Sequence, residues 1–147
     1  MATYQRPGWL TQHIVNPLVA FVTGRLGRSL RGSRVLAVRG RRSGQWRTTP
    51  VNPLDLDGRR YLVAPRGETD WVRNLRAVGS GELRLGGAVE RFRATELPDA
   101  DKPPILRAYL DRWRSEAGAF FGVSANPSAA DLAGIAPNHP IFLIQPE

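Results

Sequence analysis

The fold is decided by the stretch VLAVRGRRSGQWRTTPVNPL, residues 35–54. Two β-prone runs, Val35–Val38 and Trp46–Leu54, flank a short polar segment that begins at Gly40 and ends at Gln45. Polar segments of this length that contain glycine commonly join the two strands of a β-hairpin. The stretch therefore predicts an antiparallel pair of strands joined by a basic turn.

The rest of the chain repeats this hairpin pattern. Asp57-Gly58 and Gly86-Gly87 are further turn signals next to β-prone runs. The strands predicted beyond the first hairpin are Arg60–Pro65, Glu82–Leu85, Ala88–Leu97 and Ile141–Ile144. About six strands, mostly joined by hairpins, predict an α+β or mainly β fold in which helices pack on a small antiparallel barrel.

The N-terminal part of the chain has helical spacing instead. Residues 9–30 carry an apolar residue at every fourth position, interrupted at Pro17, and this pattern predicts an amphipathic helical segment. We therefore expect two parts: this N-terminal segment, residues 1–32, and a barrel domain, residues 33–147.

Three helices are predicted within the barrel domain. They are Asp70–Val78, a helix capped by Asp101, and a short helix at Ser128–Ile135. The helix after Asp101 begins with two prolines, which favour the first helical turn. Its expected buried face consists of Leu106, Tyr109, Leu110 and Trp113.

Composition excludes several classes of protein. A chain of 147 residues with 41% hydrophobic content has the size of one compact domain. It has no cysteine and only two histidines, His13 and His139, so disulfides, zinc-thiolate sites and iron-sulfur clusters are excluded, and no metal is expected. The sequence has no run of about 18 apolar residues and no secretion signal, so we expect a cytoplasmic protein.

Positive charge is concentrated in the first third of the chain. The formal net charge is +8, and residues 1–54 contain nine arginines and no carboxylate, since the first acidic residue is Asp55. Such a field predicts an anionic partner: nucleic acid, an anionic membrane surface, or a small ligand that bears phosphates and carboxylates. The planar guanidinium of arginine suits phosphate and carboxylate groups in particular.

Two segments combine groups that bind such a ligand. The first, Gly40 to Pro50, holds three arginines, two glycines and several hydroxyls, a composition suited to phosphate, although a solvated basic hairpin explains it equally well. It lacks the Gly-Lys-Ser/Thr ending of a nucleotide P-loop. In the second, a loop containing Arg66 and Gly67 leads into a helix capped by Thr69 or Asp70, so backbone N–H groups and Arg66 face the same space.

These segments resemble those of a known family, the deazaflavin-dependent nitroreductase-like proteins, which form the A branch of the flavin/deazaflavin oxidoreductases and have a split β-barrel fold. The resemblance covers roughly residues 33–147 and rests on GRRSGQWRTTP at 40–50, Asp57-Gly58 before a strand, Arg66-Gly67 followed by WVRNL at 71–75, and HPIF at 139–142. It implies a reductase that uses coenzyme F420, a deazaflavin hydride carrier with an anionic phospholactyl-polyglutamate tail.

The resemblance also assigns residues to the coenzyme. Its phosphate and tail carboxylates would be held by Arg41, Arg42 and Arg47, with Ser43 and Gly44 shaping the turn. Its ring would be lined by Thr48, Thr49, Pro50 and Val51, covered by Pro65, Arg66 and Gly67, and supported by Trp71 and Asn74. For the reaction itself, Arg66 is the candidate for stabilising negative charge on the hydride acceptor, and Tyr109 is a second candidate, as a donor.

The acceptor is left open between a quinone, a nitroaromatic compound and an activated alkene. The tyrosine-rich substrate segment of the nitroimidazole-activating members is not recognisable here, and Phe120 and Phe121 either wall a substrate pocket or pack in the core. The alternatives are an FMN-dependent reductase on the same barrel and a non-catalytic barrel that binds a deazaflavin or a fatty acid. Nucleic-acid binding is disfavoured, because no recognised motif accompanies the charge.

Two further predictions concern surfaces. Residues 9–30 contain Trp9 and Phe21 among arginines, so this segment either covers the barrel end or lies on an anionic membrane, at the inner face of the plasma membrane. The edges of a barrel that is not fully closed are compatible with a homodimer.

Overall fold

The computed structural model describes residues 32–147, so the predicted helical segment at residues 9–30 lies outside the described residues. The strands of the described part are β1 Arg34–Arg39, β2 Trp46–Val51, β3 Leu54–Leu56, β4 Arg59–Val63, β5 Ser80–Leu85, β6 Ala88–Glu96 and β7 Ile141–Pro146. The helices are α1 Asp70–Val78, α2 Pro103–Ala117 and α3 Ala129–Ile135, with short 3-10 turns at Asp99–Asp101, Gly118–Phe120 and Ala136–Asn138.

The strands form one antiparallel sheet that curls into a split barrel, as predicted. The strand order is β2-β1-β5-β6-β7-β4-β3, which puts β2 and β3 at opposite edges. Only Asn52 and Pro53 separate these two strands in the chain. Because three Cα–Cα steps span at most about 11 Å, the two edges must approach each other at this connection. We call it the seam of the barrel.

The prediction of one strand over Trp46–Leu54 is wrong, and the sheet has seven strands where about six were expected. Pro53 has no N–H to donate to a ladder, so pairing stops there and the chain crosses from one edge of the sheet to the other. The other hairpins form as predicted. At Asp57 and Gly58 the turn is sharp, since both residues have positive φ, 53° and 78°.

Alternation along the strands separates two hydrophobic clusters on the two faces of the sheet. On β4, Tyr61 and Val63 face a cluster formed with α2 and α3, whereas Leu62 faces a cluster formed with α1. On β7, Phe142 belongs to the α1 cluster and Ile141 to the α2 cluster. The sheet is therefore covered on both faces, and the helices lie where they can contribute to a site at its edges.

Helix α2 buries the predicted face, since Leu106, Tyr109, Leu110 and Trp113 are each at most 1% exposed. Its predicted cap is wrong. Asp101 belongs to the preceding 3-10 turn, and the N-cap is Lys102, whose buried ammonium group donates to the carbonyl oxygen of Ala136 at 3.0 Å. Helix α1 has its predicted bounds, and α3 begins after Ser128 as predicted. No helix in this part of the chain is long and apolar enough to cross a membrane.

Candidate functional site

A cavity of about 260 Å³ lies beside the seam, where the end of β2, the end of β4, the start of α1 and the end of α2 meet. It is lined by residues of both hydrophobic clusters and by several polar side chains: Thr49, Pro50, Val51, Asn52, Val63, Pro65, Arg66, Thr69, Trp71, Tyr109, Glu116, Ala117 and Phe120. The sequence predicted Thr49, Pro50, Val51, Pro65, Arg66, Trp71 and Tyr109 among these. The structure therefore brings together residues that are up to 68 positions apart in the chain.

A larger cavity, of about 720 Å³, lies elsewhere on the sheet, at the β3–β4 turn and the end of β7. Its lining includes Asp55, Glu90, Arg59 and Arg91, so acidic and basic side chains are mixed. None of the residues predicted to bind a ligand line it. Size alone does not identify a functional site, and we assign the smaller cavity because its chemistry is more specific.

Trp71 is both a wall of the cavity and part of the core. Its side chain is half-buried and packs against the α1 cluster, with its ring centroid 6.1 Å from that of Phe142 in a tilted arrangement. The indole thus fixes the start of α1 against β7 while it presents an aromatic surface to the cavity.

Two of the residues predicted around the ring do not line the cavity. Thr48 lies on the opposite face of β2 from Thr49, because successive side chains of a strand alternate. Gly67 is buried in the loop, with φ at +81°, and a Cβ atom there would lie 3.1 Å from the carbonyl oxygen of Asn138. Gly67 therefore allows the loop to turn and to pack closely, and its neighbours Pro65 and Arg66 reach the cavity.

The β1–β2 hairpin carries the predicted arginines at the surface. Its turn is closed by hydrogen bonds from the Gln45 N–H to Ser43 Oγ, at 3.1 Å, and from the Gly44 N–H to the Gly40 carbonyl, at 2.9 Å. Gly44 has a φ of +74°. Ser43 and Gly44 are thus part of the turn, and the exposed side chains that it displays are Arg41, Arg42 and Arg47.

Arg41 is tied to α1 through Asn74. The Asn74 Oδ1 atom accepts from the Arg41 backbone N–H at 3.0 Å and from its Nη1 at 2.8 Å. Asn74 is only 4% exposed. Its amide oxygen therefore holds the hairpin in place, and Asn74 contributes to the site by positioning Arg41.

Strand β2 connects this hairpin with the cavity. Arg47 shares a face of the strand with Thr49 and Val51, which line the cavity. A strand rises about 3.3 Å per residue, so Arg47 lies roughly 7 Å along the strand from Thr49. An anionic chain attached to a group in the cavity can therefore reach the arginines along one strand.

One buried donor in the cavity lining has no partner. Thr69 is the N-cap residue of α1 and is 2% exposed, yet its hydroxyl caps no backbone N–H and has no hydrogen-bond partner among the described residues. Buried polar groups are almost always paired, because an unpaired one costs about 1–3 kcal/mol. The orphaned hydroxyl at a helix N-terminus fits a ligand that offers a carbonyl or an anionic oxygen.

Sequence reasoning missed part of this lining, namely Asn52, Val63, Thr69 as a ligand-facing group, Glu116 and Ala117. Phe120 and Phe121 were considered together, and the structure separates them. Phe120 is 40% exposed and lines the cavity under the Arg66 guanidinium, at 4.8 Å, whereas Phe121 is in the core against Tyr109. The Gly118–Phe120 turn after α2 decides this, and nothing in the local pattern signals it.

Tyr109 keeps its proton throughout the ordinary pH range. Burial raises the pKa of its hydroxyl to about 12, although a hydrogen bond from the Asn52 side chain acts in the opposite direction. A phenol with this pKa is a hydrogen-bond donor rather than a base at neutral pH. Tyr109 can therefore stabilise negative charge on a group inside the cavity.

His139 holds the loop that carries Arg66. Its Nδ1–H donates to the Ala64 carbonyl at 3.0 Å, and its ring stacks on Phe121 with centroids 4.3 Å apart. Burial lowers the pKa of His139 below its ordinary value of 6.5, and the positive charge of Lys102 acts in the same direction. The neutral imidazole is therefore part of the folded state.

This pKa predicts how stability depends on pH. The unfolded chain binds a proton at His139 more readily than the folded chain, so the stabilisation is fully present above about pH 6.5 and is lost as the pH falls toward the folded-state pKa. We expect the free energy of unfolding, measured with urea, to fall between pH 7 and pH 5 by at most about 1.4 kcal/mol per pH unit from this group. In His139→Gln the slope should be smaller; an unchanged slope would contradict the assignment.

A curled antiparallel barrel with an aromatic-walled cavity at its seam and an arginine hairpin beside it has the architecture of the split-barrel flavin and deazaflavin oxidoreductases. The model of the F420H2-dependent quinone reductase family matches residues 11–118, and the chain belongs to that family. It is accordingly an oxidoreductase enzyme whose cofactor is F420. Among the described residues no cluster of side chains is suited to a metal ion.

Solved structures agree with this fold at low sequence identity. An F420-H2 dependent reductase, FDR-A, is 17% identical, with a TM-score of 0.55 over 78% of this chain and 95% of that chain. A structure described as a domain-swapped dimer is 15% identical, with a TM-score of 0.53 over 87% and 99%. A FAD-binding protein from Mesorhizobium loti is 18% identical, with a TM-score of 0.52 over 84% and 88%. Among curated proteins, none matches the chain.

Proposed function

We propose that the protein reduces a quinone with hydride from F420H2, and that the two meet in the cavity at the seam. The observation that carries the proposal is the continuity of the site: β2 runs from the arginine hairpin into a cavity with an aromatic wall and an orphaned donor, Thr69. When bound, F420H2 supplies a hydride. A quinone that accepts it becomes a hydroquinone anion, which then takes one proton from water.

The residues of the chain have two tasks in this proposal. Arg41, Arg42 and Arg47 bind the phosphate and carboxylates of the coenzyme tail through charge-assisted hydrogen bonds. The cavity is near the lower end of the usual range for ligand sites, roughly 300–1,000 Å³, so it takes a ring system while the tail stays on the surface. Thr49, Pro50 and Val51 provide the wall against which a flat ring packs.

Negative charge develops on the quinone oxygen as it accepts hydride. Arg66 and Tyr109 are the groups in the cavity lining that can stabilise it, one as a cation and one as a neutral donor. The Arg66 guanidinium lies over Phe120, which limits its freedom and keeps it at the cavity mouth. Because such groups act mainly in the transition state, they should affect kcat more than substrate binding.

Replacing Arg66 by alanine tests this role. We expect Arg66→Ala to lower kcat for quinone reduction by about 10–100-fold, since it removes a cation near the developing charge, and to leave the affinity for F420 within about threefold, since the tail is held by the hairpin. Arg73→Ala is the matched control, because Arg73 lies on the exposed face of α1 outside the cavity lining. Equal losses of kcat in both variants would refute the role of Arg66.

The function itself is tested by a fluorescence titration of the purified protein with F420, beside FMN, at physiological salt, followed by quinone reduction with F420H2. Micromolar or tighter binding of F420 and turnover of a soluble quinone are the expected results. Binding of FMN alone would favour the flavin-dependent alternative, and binding without turnover of any acceptor would favour sequestration.

Two partner assignments belong to the same proposal. Quinones are lipid-soluble, so a peripheral membrane position through residues 9–30 would bring the enzyme to its acceptor. One structural neighbour is described as a domain-swapped dimer, and a homodimer of this chain is the corresponding expectation. Co-sedimentation with anionic liposomes and light scattering test the two; absence of pelleting, or a monomer mass, would reject them respectively.

A further inference from the structure

The seam of the barrel is held by hydrogen bonds that converge on Asn52 and Pro53. Ser33 Oγ donates to Asn52 Oδ1 at 2.8 Å, and the indole Nε1–H of Trp113 donates to the Pro53 carbonyl at 3.2 Å. The Asn52 side chain also bonds to the Tyr109 hydroxyl. Both partners on α2 are 1% exposed, so the seam is fixed to a rigid part of the molecule.

These bonds determine which way the Tyr109 hydroxyl points. The Asn52 oxygen is taken by Ser33, which leaves the NH2 group of Asn52 to face Tyr109 as a donor. The effect on Tyr109 agrees, because the Asn52 bond lowers the pKa of the hydroxyl, as a donor to its oxygen does. The oxygen of Tyr109 is therefore the acceptor in this bond, and its hydrogen is directed elsewhere.

The cavity is the direction that remains. Tyr109 lines it, and in the described part of the chain Asn52 is the hydrogen-bond partner of its hydroxyl. We infer that Asn52 is a positioning residue, which by donating to Tyr109 turns the tyrosine O–H hydrogen into the cavity, toward the oxygen of the hydride acceptor. The inference rests on the proposed function for the identity of the acceptor, but the orientation of the hydroxyl does not depend on it.

The arrangement also strengthens the donor. An O–H group that accepts a hydrogen bond donates a stronger one, so the chain from Ser33 through Asn52 to Tyr109 polarises in one direction. No proton needs to leave Tyr109, since the role is hydrogen-bond donation to a developing negative charge. Asn52 does not itself contact the acceptor in this scheme, and its effect passes through Tyr109.

Asn52→Asp is the sharpest variant, because a carboxylate has the same shape and still accepts from Ser33 but cannot donate. Tyr109 must then donate to residue 52, and its hydrogen turns away from the cavity. We would label the tyrosines with 13C at Cζ and record their resonances in the cofactor-free protein at neutral pH, assigning Tyr109 with Tyr109→Phe. We expect the Tyr109 resonance to move in Asn52→Asp and that of buried Tyr61 to stay; an unmoved Tyr109 resonance would overturn the inference.

Adding the quinone menadione as a probe extends this measurement. The Tyr109 resonance should respond to menadione in the parent and clearly less in Asn52→Asp, with Tyr61 as the internal reference. An equal response in both proteins would overturn the inference. This readout needs no turnover, so it separates failure of the hydroxyl orientation from failure of the proposed function.

Kinetics give the second readout, as a double-mutant cycle. Asn52→Asp and Tyr109→Phe should each lower kcat for menadione by about tenfold with F420 affinity within about twofold, and the double variant should lose little more than either. Tyr61→Phe, in the core away from the cavity, should keep its kcat. Losses that multiply to about a hundredfold would mean that the two residues act independently and would overturn the inference.

Discussion

A protein in which Arg41 and Arg47 are both replaced by alanine is expected to bind F420 at least about 100-fold more weakly than the parent. Each guanidinium that bonds to a phosphate or carboxylate contributes roughly 1.5–3 kcal/mol, and removing two should cost roughly 3–6 kcal/mol if they are independent. A fluorescence titration with F420 at physiological salt measures the loss. Folding should be unaffected, because both side chains are exposed on the hairpin.

The matched control removes the same charge from another place. Arg59 and Arg93 are exposed on β4 and β6, outside the hairpin and the cavity lining, so Arg59→Ala with Arg93→Ala lowers the net charge equally. We expect at most a few-fold loss of F420 affinity in this control, and that loss should vanish at higher salt, where long-range fields are screened. If both double variants lost affinity equally, the hairpin would be no more than part of a general positive field.

A single variant separates position from charge at the same site. Asn74→Leu keeps all the arginines but removes the oxygen that accepts from the Arg41 backbone and side chain. The hairpin would lose its tie to α1, so affinity for F420 should fall although the charge is unchanged. This role of Asn74 was not readable from the sequence, where it was placed among the residues supporting the ring.

The hairpins, the order of the helices and the arginine cluster were predictable because each depends on local sequence. Gly44 and Asp57-Gly58 need positive φ and mark their turns directly, and the apolar spacing of α2 identifies its buried face. Thr49, Pro50, Val51 and Arg66 were placed correctly at one cavity because they follow such local signals along β2 and the loop before α1.

The remaining features depend on contacts between distant parts of the chain. The break at Pro53 moves the chain from one edge of the sheet to the other, and whether a proline ends a strand or sits at its edge is decided by pairing. Thr69 was expected to cap α1, and its hydroxyl instead stays unpaired in the cavity lining. Asn52 had no local signal, because its partners are 19 and 57 residues away.

Replacing Trp113 by alanine should cause the largest loss of stability of any change considered for this protein. Trp113 is among the largest fully buried side chains, at 1% exposed, and packs in the α2 cluster. Truncating such a residue leaves a cavity and typically costs 3–5 kcal/mol, against a total stability of roughly 5–15 kcal/mol for a domain. Urea unfolding should show a much lower midpoint with a similar slope.

Two controls identify what Trp113 does. Trp46→Ala removes the same atoms from a side chain that is 39% exposed on β2, and it should cost no more than about 1 kcal/mol. Trp113→Phe keeps most of the packing but removes the indole N–H that donates to Pro53, so we expect roughly 1–2 kcal/mol. Because that bond also holds the seam, Trp113→Phe should weaken F420 binding or slow turnover beyond what its stability explains. A variant with full activity and a Trp113→Ala loss no larger than that of Trp46→Ala would show that the seam does not need this attachment to α2.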